Sequence, residues 1–238
     1  VIALTMLITP LLFIVYEIIN RRMTETVGEV EADDIDDEGP VIIAGIGRFG
    51  QIVNRLLQGS GFNTVVLDHD METIALMRRF GFKGFLGDPS RPDILHAAGL
   101  ETARVLGVAL DDPETATRLV AYARKTRPDL HIIARAYARV HTYRLYQAGA
   151  DDIVREMFDS SLRAGRYALE NLGLSDYEAA EAARVFYAHD RDAVRQLAEV
   201  WDPNIPASKN DAYVARAKAL EKELEASLSA RQDEPKRA

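Results

Sequence analysis

Two periods of hydrophobic and polar positions alternate along this chain. Apolar runs rich in Val, Ile and Leu fall at 41–45, 64–68, 83–86, 104–110 and 131–135. Between them, apolar residues three and four apart predict helices over 49–58, 71–80, 90–98 and 113–126. Strands alternating with helices at this spacing define an α/β fold with a doubly wound, Rossmann-like parallel sheet. A helix over 139–148 then precedes Asp152-Ile153-Val154, a candidate sixth strand. A crossover helix over 158–172 closes at Gly173, and further helices are predicted over 176–200 and 211–230. In the last of these, Tyr213, Ala217, Leu220, Leu224 and Leu228 form one apolar seam among charged neighbours. Such a seam buries against something, either its own domain or a partner.

The ends of the chain differ from its middle. Residues 1–16 carry no charge, and the apolar character continues through Ile18-Ile19 before Arg21-Arg22. A helix of this length approaches the roughly 30 Å of a bilayer's hydrocarbon core. Arginines after the apolar stretch place the following segment on the cytoplasmic side. Residues 1–22 are therefore read as the end of a last transmembrane helix, the alternative being a buried core helix. From Thr24 to Glu38 come eight acids and no base, a self-repelling run expected to stay solvated as a linker. The expected organisation is a membrane stub (1–22), an acidic linker (23–39), a Rossmann-like domain (40–157), crossover and dimerisation helices (158–201) and a helical tail (202–238).

Candidate chemistry sits where the first strand meets its helix. The segment Val41 to Gly50 reads VIIAGIGRFG, an apolar run broken by glycines. Gly45 permits the turn, Gly47 lets backbone approach a phosphate, and Gly50 lets the helix pack close to the strand. Free N–H groups at the helix start would then face a dinucleotide's phosphates, with Ile46, Arg48 and Phe49 beside them. Eighteen residues on, Asp68 ends the run Val65-Val66-Leu67, where a carboxylate would accept hydrogen bonds from a ribose. Successive strand ends carry Asp68-His69-Asp70, Gly87-Asp88-Pro89, Asp111-Asp112-Pro113 and Arg135. One aspartate after a strand is commonly a helix cap, which is the alternative role of Asp88 and Asp111. Several on one rim favour a nucleotide site.

Composition narrows the function. With 37 acids against 29 bases the net charge is −8, which argues against nucleic acid as a partner. The chain has no cysteine, hence no disulfide and no thiolate ligand or nucleophile. Its five histidines (69, 96, 131, 141 and 189) show no metal-binding spacing, so no metal is expected. A dehydrogenase needs a substrate region with a general acid or base. Here only helices follow the sheet, and their one histidine, His189, adjoins Asp190. A regulatory nucleotide is favoured over a reacting one, and no enzymatic activity is expected. The rival from another class is a soluble NAD-dependent oxidoreductase.

Several segments resemble a known family. They are VIIAGIGRFGQ (41–51), VLDHD (66–70), Gly87-Asp88 with Asp93-Ile94-Leu95 and Ala98-Gly99, and Ile133 to Ala136. Gln147-Ala148-Gly149, Arg155-Glu156-Met157-Phe158 and Gly165 to Leu169 continue the likeness. Together these resemble the regulatory RCK domain of Kef-type glutathione-gated potassium efflux systems, over about residues 1–200. The glycine signature alone is shared with all potassium-channel RCK domains and TrkA-like proteins.

The resemblance implies a potassium:proton antiporter of the cell inner membrane, with this domain on the cytoplasmic side below a membrane domain. It also implies a homodimer through the RCK domains, a regulatory adenine nucleotide (AMP or NAD(H)), and a quinone-reductase-like ancillary subunit. Glutathione would hold the system closed and its adducts would open it. The family's effector arginines match Arg55 and Arg155. A third effector position aligns with Asp190, where the family often carries Asn, and an anion there would repel a glutathione carboxylate. The rival within this resemblance is an RCK module of another monovalent-cation transporter, without glutathione control.

Overall fold

The computed structural model describes residues 33, 35 and 39–232. The expected membrane stub and most of the acidic linker lie outside the described residues. Among the described residues six strands form: β1 (Val41–Ala44), β2 (Thr64–Asp68), β3 (Phe85–Leu86), β4 (Val105–Val108), β5 (His131–Ala136) and β6 (Asp152–Arg155). The helices between them are α1 (Arg48–Gly59), α2 (Met71–Arg79), α3 (Pro92–Ala97), α4 (Pro113–Thr126) and α5 (Arg139–Ala148). After β6 come α6 (Phe158–Asn171), α7 (Asp176–Val200), a 3-10 turn (Ala207–Lys209) and α8 (Asp211–Gln232). Among the described residues no helix is long and apolar enough to cross a membrane.

The sheet runs in the order β3-β2-β1-β4-β5-β6, with every pairing parallel. This is the doubly wound Rossmann-like arrangement expected from the alternating pattern. Strand order reverses between β1 and β4, and a crevice opens at that point beyond the strands' carboxyl ends. Period-two alternation assigns β1 side chains to opposite faces. Ile42 and Ala44 join one core with α3, α4 and the centre of the sheet, while Val41 and Ile43 join another with Ile74 and Met77 of α2. Both faces are covered, so the strands read as unbroken apolar runs.

Strand β3 is shorter than the run at 83–86, because only Phe85 and Leu86 pair with β2. The Gly84 carbonyl is instead taken by the Arg78 guanidinium at 3.0 and 2.7 Å. The open edge of β3 is covered by the end of the linker. The Asp33 N–H donates to the Leu86 carbonyl at 2.9 Å, and the Asp33 carboxylate accepts from the Leu86 N–H and from Arg78, each at 2.5 Å. Ile35 packs against the main core. These two residues are therefore docked rather than solvated, because an unpaired sheet edge offers the linker its missing partners.

The C-terminal helices form a second cluster. A capping box between Ser175 and Glu178 starts α7. The seam of α8 lies against α7 of the same chain, with Leu220 and Leu224 buried near Ala193, Leu197 and Trp201. This decides between own domain and partner for that seam, since α7 offers apolar residues at matching spacing. Helix α6 buries none of its residues completely, and Tyr167 on it and Met157 and Leu172 at its two ends are exposed.

His141 on α5 is almost completely buried, and its Nδ1 accepts the Tyr137 N–H at 3.2 Å. Burial holds its pKa below the usual imidazole value, against the opposing pull of the Pro113 carbonyl.

Ile42→Ala should lower the unfolding free energy by about 3 kcal/mol, because a fully buried side chain leaves a cavity. The exposed Ile52→Ala should cost less than about 0.5 kcal/mol, with urea denaturation comparing the two. Below about pH 6.5 the unfolded chain takes up a proton that folded His141 resists, so stability should fall as pH drops from there. The contribution is at most about 1.4 kcal/mol per pH unit, and the slope between pH 6.5 and 5.5 should flatten in His141→Gln.

Candidate nucleotide-binding site

The glycine loop is built by close approaches that no other residue permits. Gly45 has φ +96°, and a Cβ there would lie 2.9 Å from the Ala109 carbonyl oxygen. A Cβ on Gly50 would lie 2.1 Å from the Gly45 carbonyl oxygen. These two contacts clamp the first turn of α1 onto the tip of β1. Gly47 differs, since a Cβ on it would meet nothing within 4 Å. It is the N-cap of α1, no side chain caps that end, and the first turn holds no acid. An uncapped helix start with open space before it is an anion-binding geometry.

Asp68 is brought to this loop by the β1–β2 pairing. Its carboxylate is almost wholly buried and accepts the Ile46 N–H at 2.8 Å and the Asp70 N–H at 2.9 Å. Those bonds fix its orientation while leaving lone pairs for a hydroxyl donor. His69 is exposed, its Nδ1 3.5 Å from Asp68. Asp70 is the N-cap of α2, and its hydrogen bonds from the Thr73 hydroxyl and the Glu72 N–H lower its pKa.

The other strand ends divide into two kinds. Asp88 accepts the Ser90 N–H at 2.9 Å, closing a turn instead of capping α3. The cap of α4 is Asp112, which accepts the Thr115 N–H at 2.7 Å and has its pKa lowered by Thr115. Asp111 is thereby released from the capping role and points outward, its side chain 92% exposed. It accepts from the buried Arg135, which also donates to the Leu110 carbonyl at 2.7 Å. Glu156 follows β6 in the turn, its N–H donating to the Ala136 carbonyl. Its carboxylate lies 3.6 Å from Arg135 and 3.8 Å from Arg48, whose side chain is 94% exposed. Arg48, Glu156, Arg135 and Asp111 thus form one alternating line of charges across the crevice. Phe49 is half-buried beside Arg48 on the first turn.

The three predicted effector residues fall in two places. Arg55 is exposed and lines a cavity of about 390 Å³ between α1 and α2, with Asn54, Leu76, Phe80 and Phe82. Arg155 and Asp190 meet in another cavity, of about 510 Å³, lined also by Arg139, Phe158, Phe186 and Leu228. Arg155 stacks 3.8 Å above the Phe158 ring and is ion-paired to Asp190. Asp190 is buried and also receives the Arg139 guanidinium at 2.9 Å. Its charge is offset by two arginines, so Asp190 competes for Arg155 from inside the protein rather than standing as a free anion. The site residues missed from sequence are Arg139 and the bridging role of Glu156. Neither carries a local signal, because their partners stand tens of residues away. Arg135 was legible as an arginine inside an apolar strand.

The parallel sheet, the clamped glycine loop and the aspartate at the tip of β2 define a Rossmann-like RCK fold of the nucleotide-binding class. The family models agree: the TrkA-N domain matches residues 41–156, and the potassium efflux system KefB C-terminal domain matches residues 160–238. The chain belongs to the family of Kef C-terminal domains. The glutathione-regulated potassium-efflux system protein KefC of Enterobacter sp. (strain 638) is 44% identical over 224 residues, covering 94% of this chain and 35% of that protein. KefC of Escherichia coli O139:H28 (strain E24377A / ETEC) is 47% identical over 200 residues, covering 84% and 32%. The chain spans about a third of the length of the curated relatives it matches. Among solved structures, the Shewanella denitrificans Kef CTD in AMP-bound form is similar with a TM-score of 0.63 and 40% identity, over 70% of this chain and all of that one. The TrkA-N domain of inner membrane protein ybaL from Escherichia coli matches at 0.51 and 28% identity, over 58% and 99%.

Substitutions at two of the glycines should fail in different ways. Gly47→Asp has room for its side chain, so it should fold normally yet weaken nucleotide binding by at least about 100-fold by placing a carboxylate at the open helix start. Gly50→Ala should instead destabilise the fold, because its Cβ meets backbone. Calorimetric AMP titration alongside thermal unfolding separates the two.

Proposed function

We propose that this chain is the nucleotide-binding regulatory domain of a glutathione-regulated potassium:proton antiporter. The observation that carries the nucleotide part is the open, uncapped start of α1 facing the oriented Asp68 carboxylate. AMP is the favoured ligand over NAD(H), its ribose on Asp68 and its phosphate on the α1 N-terminus beside Arg48. The AMP-bound form of the Shewanella Kef CTD supports this choice. Asp111 and His69 stand at the rim, and Asp88 serves the turn after β3. The domain acts by binding rather than by catalysis, consistent with relatives named as efflux proteins.

Glutathione, or an adduct of it, is the proposed effector, supported by the names of the KefC relatives. A tripeptide with a carboxylate at each end suits arginine partners. Arg155 is the principal one, and its hold on Asp190 must loosen for a ligand carboxylate to bind. Arg55, in the α1–α2 cavity, is the second. A ligand shifts such a domain only through different affinities for its two states, and exchange of Asp190 for an effector carboxylate supplies such a difference. The apolar residues that α6 leaves exposed suit a homodimer contact. The domain would lie on the cytoplasmic face of the inner membrane, below its own transport domain, with a quinone-reductase-like subunit as a further partner.

The test is calorimetry on the AMP-saturated chain with glutathione and a bulky S-substituted glutathione. The two should compete for one site, and Arg155→Ala should lose both while AMP affinity holds. AMP binding without heat from either compound would instead favour an RCK domain with another effector.

A further inference from the structure

The crevice has two halves, and their charges differ. On the β1–β2 side, the α1 N-terminus carries no acid in its first turn, and Asp68 is turned toward the loop. On the β4–β6 side stand Asp111, Arg135 and Glu156, at the ends of three neighbouring strands. A dinucleotide lies across both halves of this topology, its second phosphate and second nucleoside crossing toward the β4–β6 side.

The two cations described on or near that second side, Arg135 and Arg48, each face an acid. Arg135 is 4% exposed and its guanidinium is divided among the Leu110 carbonyl, Asp111 and Glu156. Arg48, from the loop, reaches across to Glu156. What remains turned outward is the Asp111 carboxylate, 92% exposed, with the Glu156 carboxylate behind it at 17%. One phosphate at the helix start meets N–H groups and Arg48. A second would meet the outward-turned Asp111 carboxylate, with Glu156 behind it and the buried Arg135 already shared by both. Specificity built from repulsion of the wrong ligand needs only such an arrangement.

We infer that Glu156 and Asp111 are specificity-determining residues that restrict this site to a nucleoside monophosphate and reject a second phosphate. The inference rests on the reading that the first phosphate binds at the start of α1. Glu156 acts as a like charge held beside Arg135, its carboxylate 3.8 Å from the exposed Arg48. Asp111 acts by charge alone, since it touches Arg135 and not Arg48.

The experiment is calorimetric titration of AMP and of ADP into the full 238-residue chain, its Glu156→Gln variant and its Asp111→Asn variant. The natural chain should bind AMP more tightly than ADP. Removing either charge should raise the ADP-to-AMP affinity ratio by about five- to tenfold at low ionic strength, and less at high salt. A shift in either variant supports the inference and assigns the barrier to that residue. If Glu156 were only a strut between Arg48 and Arg135, its loss would weaken both ligands alike. An unchanged ratio in both variants, or a natural chain that binds ADP as tightly as AMP, would overturn the specificity role and leave the nucleotide site standing. Failure of the natural chain to bind AMP would overturn the site reading and this inference with it.

Discussion

Gly50 rests on the carbonyl of Gly45, and Gly45 on the carbonyl of Ala109, at separations that leave no room for a side chain. These contacts join β1, α1 and the segment after β4 at the one place where strand order reverses. With α1 held there, its uncapped amino end opens onto the crevice and the Ile46 N–H reaches the Asp68 carboxylate. A wider turn would part the start of α1 from the Asp68 carboxylate, and the two would no longer face one crevice. Backbone packing thus comes before the chemistry.

Around that clamp, polar groups are placed by the sheet's register. Parallel pairing aligns the ends of β1, β2, β4, β5 and β6 on one rim, so residues far apart in sequence become neighbours. The buried Arg135 shows what this costs and permits. Removing a guanidinium from water is tolerable because a carbonyl and two carboxylates surround it. Once satisfied in this way it organises Asp111 and Glu156 instead of serving a ligand. The same logic recurs at Asp190, buried between Arg139 and Arg155. Both clusters hold charge in reserve, and a ligand that competes for one partner changes the balance of the rest.

Most of the architecture was legible in the sequence. Helices at 113–126, 139–148 and 176–200 fall where periodicity put them, because each apolar stripe has a face to bury against. The glycine signature was legible because steric exclusion is a local property of one residue. The acidic segment was less so. Its composition predicts solvation, yet Asp33 and Ile35 dock on the sheet, since an edge strand's unmet hydrogen bonds are invisible from the linker itself. The seam on α8 was readable as a stripe, but its destination was open until Leu197 of α7 and Trp201 just beyond its end were presented to it.

By itself, then, the sequence determined the α/β class, the order of elements, the glycine turn and the aspartate at the tip of β2. All are set by short-range sterics and by which residues must leave water. The tertiary structure decided which charges meet. It freed Asp111 by giving the cap of α4 to Asp112, drew Glu156 between Arg48 and Arg135, and closed Asp190 onto Arg155. Those outcomes depend on distances between elements that only the assembled sheet and its helices fix, and Coulomb interactions at such distances have no signature in local sequence.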